Sequence, residues 1–238
     1  MSGHSHFAGI KHRKGINDAK RAGIFTKLGR LVTIAARDGG GNPEFNFKLK
    51  MTIEQARAAN MPKDNIEKAI RRGTGELKDG AEIQEITYEG YGPGQVAMLI
   101  KTATDNTNRA VGEIKTALTK NGGKMVPAGS VSFMFKQVGC IEVEIGDKNR
   151  DDLEMKAIDA GAEDIFFEDT SLYIYTKIED LKVIKEELEK EDFQIGNAGL
   201  VYVPTQKTNI SEKDKENYEK LLEVLDNLDD VQEIYDNL

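Results

Sequence analysis

The sequence predicts an α+β multidomain chain: an N-terminal three-helix domain, then two α+β (ferredoxin-like) domains, the last inserted into the middle one. Three observations predict it. Apolar residues recur at helical spacing up to Gly73. After Gly80 the period shortens to that of strands. Residues 138–204 then read as a complete βαββαβ pattern, the ferredoxin-like order. A length of 238 residues suits two or three domains at about 100–150 residues each.

The first 16 residues are short, basic and polar, with little to fill a core, and read as a mobile arm. A helix follows from about Asp18 to Arg37, with Gly39 as its stop. Ile24, Phe25, Leu28, Leu31, Val32 and Ala35 form its apolar stripe, and Lys27, Arg30 and Arg37 lie together beside that stripe. Asn42 and Pro43 read as cap and first residue of a second helix, which buries Phe45, Leu49, Ile53 and Ala56. Pro62 opens a short third helix that Gly73 ends. Strands are expected over 83–89 and 95–103 around the turn Gly90–Gly94, a helix over 106–120 with Val111, Ile114 and Leu118 inward, and a strand over 131–135.

In the βαββαβ stretch, Ile141, Val143 and Ile145 alternate with Glu142 and Glu144. The tail carries a helix over 211–228 and a short strand over 231–235, which lack a local partner and are expected to pack back on residues 80–135. The domains expected are therefore 1–77, 78–135 plus 205–238, and 136–204.

Net charge is −8, which excludes a uniformly basic protein that coats nucleic acid by bulk charge. The charge is divided, however. Residues 1–77 hold 15 Lys+Arg against 7 Asp+Glu, a net +8, and the remainder holds 18 against 34, a net −16. A basic functional segment on an acidic body is implied. No apolar run reaches the ~20 residues of a membrane helix, and the first residues have no apolar signal core. A single cysteine, Cys140, excludes an internal disulfide and a Cys-based zinc site, and a reducing cytoplasm is the simplest compartment.

Catalytic signatures are missing. There is no GxxxxGK[ST] loop, no HExxH and no GxSxG. Gly90–Gly94 opens no helix and suits a turn better than a phosphate cradle. His4, His6 and His12 have no nearby Cys, Asp or Glu to complete a metal site, so no metal and no cofactor is expected. The chain reads as non-enzymatic.

The positive signal is Lys11, His12, Arg13 and Lys14, then Lys20 and Arg21, then Lys27 and Arg30, donors recurring along the arm and one helix edge. Lys and Arg in that array contact phosphates and release counterions. Arg71 and Arg72 add to it more weakly, because cations in a last helical turn also answer the helix dipole. The turn at Asn60–Pro62 lacks the glycine of a helix-turn-helix, and the third helix has few base-reading side chains. Aromatic residues are scarce in 1–77, which disfavours a stacking platform there. Backbone and shape recognition, of structured RNA at least as readily as DNA, is favoured.

Several ordered motifs resemble the YebC/PmpR family. They are Gly3-His4-Ser5, Ile10-Lys11-His12-Arg13-Lys14, Asp18-Ala19-Lys20-Arg21, Ile24-Phe25-Thr26-Lys27-Leu28, Met61-Pro62-Lys63-Asp64-Asn65-Ile66 and Ala69-Ile70-Arg71-Arg72-Gly73. Tyr88–Gly94, Thr104-Asp105-Asn106, Asn108-Arg109, Gly129-Ser130-Val131 and Leu228-Asp229-Asp230-Val231-Gln232 continue the resemblance over nearly the whole chain. Phe7 and Phe133 stand where the family commonly has Trp, Gln95 where Gly is usual and Thr107 where Arg is common. Phe keeps an apolar ring but loses an N–H donor.

The resemblance implies three domains, the last inserted into the middle one, and adds Arg109 to the candidate phosphate contacts. It also implies a regulator of gene expression. Members are described as DNA-binding transcriptional regulators, and the family includes a mitochondrial translational activator and members linked to ribosomes. The expectation is a cytoplasmic nucleic-acid binder, leaning to ribosome or rRNA association in translation regulation. Promoter DNA and transcription regulation is the alternative, and a protein-interaction scaffold a further one. The acidic domains would position the grip or meet a protein partner.

Overall fold

The computed structural model describes residues 18–77 and 81–238, and within 18–21 the backbone alone. The chain divides into two compact units, one running to Lys136 and resuming at Val203, the other spanning 137–202.

In the first unit, α1 (Asp18–Gly39), α2 (Phe47–Ala58) and α3 (Lys63–Gly73) pack through Leu28, Val32 and Ala35 against Leu49, Ile53, Ala56, Ile66 and Ala69. Burying such side chains contributes about 1.5–3 kcal/mol each. Gly73 is where α3 presses on α1: a Cβ there would lie 2.3 Å from the Thr33 carbonyl oxygen.

The second helix starts later than the sequence suggests. Asn46, not Asn42, is the cap; its Oδ1 accepts from the Leu49 amide, and its Nδ2 donates to Ala35 and Gly40 carbonyls at 2.7 and 2.8 Å. Phe45 therefore precedes the helix and is 85% exposed, not part of the buried face.

The same unit holds β1 (Gln84–Tyr91), β2 (Ala97–Thr104), α4 (Thr107–Lys120), β3 (Lys124–Val126), α7 (Glu212–Asp226) and β8 (Val231–Asp236). Their sheet runs β3-β1-β2-β8 with antiparallel neighbours. The register places Tyr88 opposite Ile100, Glu89 opposite Val126, and Ile100 opposite Ile234. One face buries Met98, Ile100 and Ile234 against Ile114 and Leu118 of α4 and Tyr218, Leu221 and Leu225 of α7. Val111 of α4 is exposed instead of inward. Ile34 of α1 joins Ile83 and Ala103 in a small seam beside the sheet.

Residues 131–135 are not a strand throughout: Ser132–Met134 form one 3-10 turn, and β4 (Phe135–Glu144) starts after it.

The second unit contains β4, α5 (Arg150–Asp159), β5 (Asp164–Glu168), β6 (Ser171–Thr176), α6 (Leu181–Lys190) and β7 (Gln194–Pro204), with β4 and β7 running across its boundary. Sheet order β5-β6-β4-β7 is that of the ferredoxin-like unit. Ile141, Val143, Leu172 and Ile174 are buried, as are Leu153 and Ala157 of α5 and Ile184 and Leu188 of α6.

Candidate nucleic-acid interface

Lys11, His12, Arg13 and Lys14 lie outside the described residues. Lys20 and Arg21 sit in the first turn of α1. About two turns on, the basic edge of α1 is turned onto the α+β layer of its own unit. Lys27 Nζ donates to the Asp226 carbonyl at 2.7 Å. Burial pushes its ammonium below the ordinary lysine range, against the opposing pull of Asp226 and Asp229. Arg30 Nη1 faces the Asp229 carbonyl at 2.6 Å, the Ala103 carbonyl at 3.2 Å and Asp230 Oδ1 at 2.7 Å. Arg37 donates to the Ile83 carbonyl and faces Glu82.

Arg109 meets the same carboxylate from the other side. Asn106 caps α4 by accepting from the Arg109 amide, which sets the guanidinium over the turn between α7 and β8. Nε lies 3.1 Å from Asp230 Oδ2, and Nη2 lies 2.9 Å from Oδ1 and 2.9 Å from Asp105 Oδ1. These bonds to Asp230 and Asp105 hold the guanidinium proton still more firmly than usual. They also hold Asp105 below the usual carboxylate range, Arg109 being the first cause. Asp230 itself is 2% exposed, with Thr104 Oγ1 3.0 Å from its Oδ2.

Thus the structure brings Lys27, Arg30 and Arg109 together around the 226–230 turn. An open cleft of about 400 Å³ beside them is lined by Arg30, Arg109, Asp105, Glu113, Asp229 and Asp230 among others. Four carboxylates against two guanidiniums give it no pull on phosphate. Arg71 and Arg72 lie elsewhere, at the end of α3: Arg71 Nε is 3.5 Å from Glu76, and Arg72 donates to the Ala81 carbonyl at 3.0 Å.

Sequence reasoning did not single out Asp230. Its signal was the Asp229-Asp230 pair in a family motif, which spacing alone cannot match to Arg30 or Arg109.

Cys140 is buried, and burial pushes its thiol far above the ordinary range, so it is no nucleophile at neutral pH. Among the described residues no helix is long and apolar enough to cross a membrane, and no group of three or more His, Cys, Asp or Glu is placed to hold a metal ion.

Comparison with known proteins places this geometry. Residues 5–76 match the model of the TACO1/YebC protein N-terminal domain, and residues 83–238 that of the TACO1/YebC second and third domain. A probable transcriptional regulatory protein of Pseudothermotoga lettingae is 48% identical over the whole chain and 93% of the relative's length. One of the same description from Thermotoga maritima is 47% identical, again over the whole chain and 93% of its own length. The crystal structure of a conserved hypothetical protein from Aquifex aeolicus superposes with a TM-score of 0.90 at 44% identity, covering 98% of this chain and 96% of the other. The chain belongs to the TACO1/YebC family.

Proposed function

We propose that this protein is a non-enzymatic, nucleic-acid-binding regulator of gene expression whose grip on phosphate is the N-terminal arm and the first turn of α1. The observation that carries the reading is the charge partition, +8 in residues 1–77 on a −16 remainder. The relatives' description as probable transcriptional regulators agrees with it. Lys11, Arg13, Lys14, Lys20 and Arg21 supply the phosphate donors, with His12 beside them. Lys27, Arg30 and Arg109 each donate to acceptors within the protein and serve as the mount that fixes α1 to the α+β layer. Arg71 and Arg72 form a secondary basic site.

The target is structured RNA of the translation apparatus in the cytoplasm. The turn Asn60–Pro62 that leads into α3 lacks the glycine common in a helix-turn-helix. The acidic unit 137–202, with 7 Lys+Arg against 18 Asp+Glu, repels a polyanion and suits a protein partner instead. Promoter DNA is the second reading, favoured by the relatives' description.

Co-sedimentation with ribosomes and binding to promoter DNA, each across a salt series, tests the proposal. Ribosome association that weakens with salt, and collapses when Lys11, Arg13 and Lys14 become Ala, is expected. Tight, sequence-dependent DNA binding without ribosome association would overturn the translation reading in favour of the second.

A further inference from the structure

The longest stretch without a carboxylate in the acidic remainder of the chain is 114–141. From Ile114 to Ile141 there are four lysines, Lys115, Lys120, Lys124 and Lys136, and no Asp or Glu. That stretch includes β3 and the turn Ser132–Met134, which displays Phe133 at 75% exposure.

The display is built, not incidental. Glu89 of β1 is 6% exposed, and its carboxylate accepts the amides of Gly129, Val131 and Ser132 at 2.7, 2.6 and 3.2 Å. A buried carboxylate satisfied by several amides fixes the loop that supplies them. On the far side, the Met134 carbonyl accepts from the Thr205 amide at 2.8 Å and from its hydroxyl at 3.0 Å. Val131 and Phe135, flanking the turn, are both buried. The backbone is held at both ends while the ring between them points to solvent. Beside it Ser132 is exposed and polar and Met134 is half-buried, and Lys136 follows three residues on, exposed. Two register positions along from Glu89, Lys124 Nζ stands 5.4 Å over the Tyr91 ring, opposite it in the register.

We propose that the Glu89-anchored turn is a second nucleic-acid contact, at which Phe133 stacks on an unpaired base of a single strand while nearby lysines attract its phosphates. An exposed ring on a fixed turn, in a stretch of sequence whose charged side chains are all lysines, has the aromatic and cationic parts that single-strand binding uses, and a turn held in place in advance loses little entropy on stacking. This rests on the nucleic-acid reading above but not on the arm.

The test uses the full chain and a labelled oligo(A) RNA of about twenty nucleotides, longer than one module's usual site, beside a duplex of equal length. Phe133→Ala should weaken single-strand binding by about 5- to 100-fold, with the salt dependence unchanged and the duplex affected less than about twofold. Phe133→Leu should be as weak as Phe133→Ala, since it keeps apolar bulk but no π face. The chain has no Trp, so Phe133→Trp installs one fluorophore; it should bind as well as Phe133 and lose emission as the single strand saturates it. Unchanged affinity in Phe133→Ala, full affinity in Phe133→Leu, or unquenched emission with RNA bound would each overturn the proposal. If Phe133→Ala is silent while Lys11, Arg13 and Lys14→Ala abolishes binding, stacking fails and the nucleic-acid reading stands. A wild-type chain that binds neither RNA overturns the stacking proposal; the reading above falls with it only if ribosome and promoter-DNA binding are absent as well.

Discussion

Arg30 Nη1 and Asp230 Oδ1 meet at 2.7 Å across 200 residues of chain, and Arg109 shares the same carboxylate. The pair ties the first helix to the last turn before the final strand. Asp230 is nearly inaccessible, so its removal leaves Arg30 facing backbone carbonyls without its carboxylate and Arg109 with Asp105 alone. Asp230→Ala is expected to cost about 3–5 kcal/mol. Arg109→Ala should cost only about 1 kcal/mol, because that side chain is 41% exposed and screened by solvent. Denaturant unfolding of the single and double variants should give a coupling of about 0.5–3 kcal/mol. Simple additivity would show that the three groups do not act together.

Asn46 is a second such tie, over a shorter span. Its amide group donates to two carbonyls at the end of α1 while its oxygen caps α2. Asn46→Ala removes the cap and orphans both carbonyls, an expected loss of about 2–4 kcal/mol. Asn46→Asp keeps the cap but sets a carboxylate against those carbonyls, so it should not rescue. Thermal unfolding of both variants decides; a stable Asp variant would mean that only the cap matters.

These two ties mark where the sequence stops being readable. The stripe Leu28, Val32, Ala35 declares α1 because its spacing is local, and the alternation at 141–145 declares a strand for the same reason. Phe45 has the right spacing to join Leu49 and Ile53, yet Asn46 finds partners at the end of the previous helix and begins α2 after it. The period at 131–135 suggests a strand, but Glu89, 42 residues before Val131, gathers its amides into a turn. The basic edge of α1 was visible as charge. Its partners were not, since Asp226, Asp229, Ala103 and Ile83 accept through backbone carbonyls, which every residue has. Phe133 is legible in the sequence only as a Phe where the family commonly has Trp; its exposure follows from the anchor that Glu89 makes 42 residues before Val131, which spacing does not show.

Tyr88 gives a prediction of the opposite sign. Its ring packs on the core between the first sheet and its helices, and its hydroxyl is buried with no hydrogen-bond partner among the described residues. Burial, with Asp230 nearby, raises its pKa. A hydroxyl that gave up water for nothing costs free energy, so Tyr88→Phe should be neutral or stabilising by up to about 1 kcal/mol. A clear loss in urea unfolding would mean that the hydroxyl has a partner after all.

Glu89 makes the acid limb of stability testable. Burial alone would raise its pKa, but the amides of Val131, Gly129 and Ser132 outweigh burial and hold the carboxyl below the ordinary range. The unfolded chain, with an ordinary carboxyl near pKa ~4.3, therefore takes up the proton first as pH falls. The stabilisation is complete above that value and is lost as pH drops below it through the lower folded value. Glu89→Gln keeps one acceptor but turns an NH2 towards amide donors, so at pH 7 it should be about 2–3 kcal/mol less stable. The gap to wild type should narrow as pH falls through the same window, because protonation takes from Glu89 what the substitution has already removed. Asp38 and Asp105 are also held low and shape the acid limb of both proteins, so the difference between the two unfolding curves is the quantity to follow. A gap that stays constant from pH 7 to about pH 3 would show that Glu89 holds the 129–132 loop without depending on its charge.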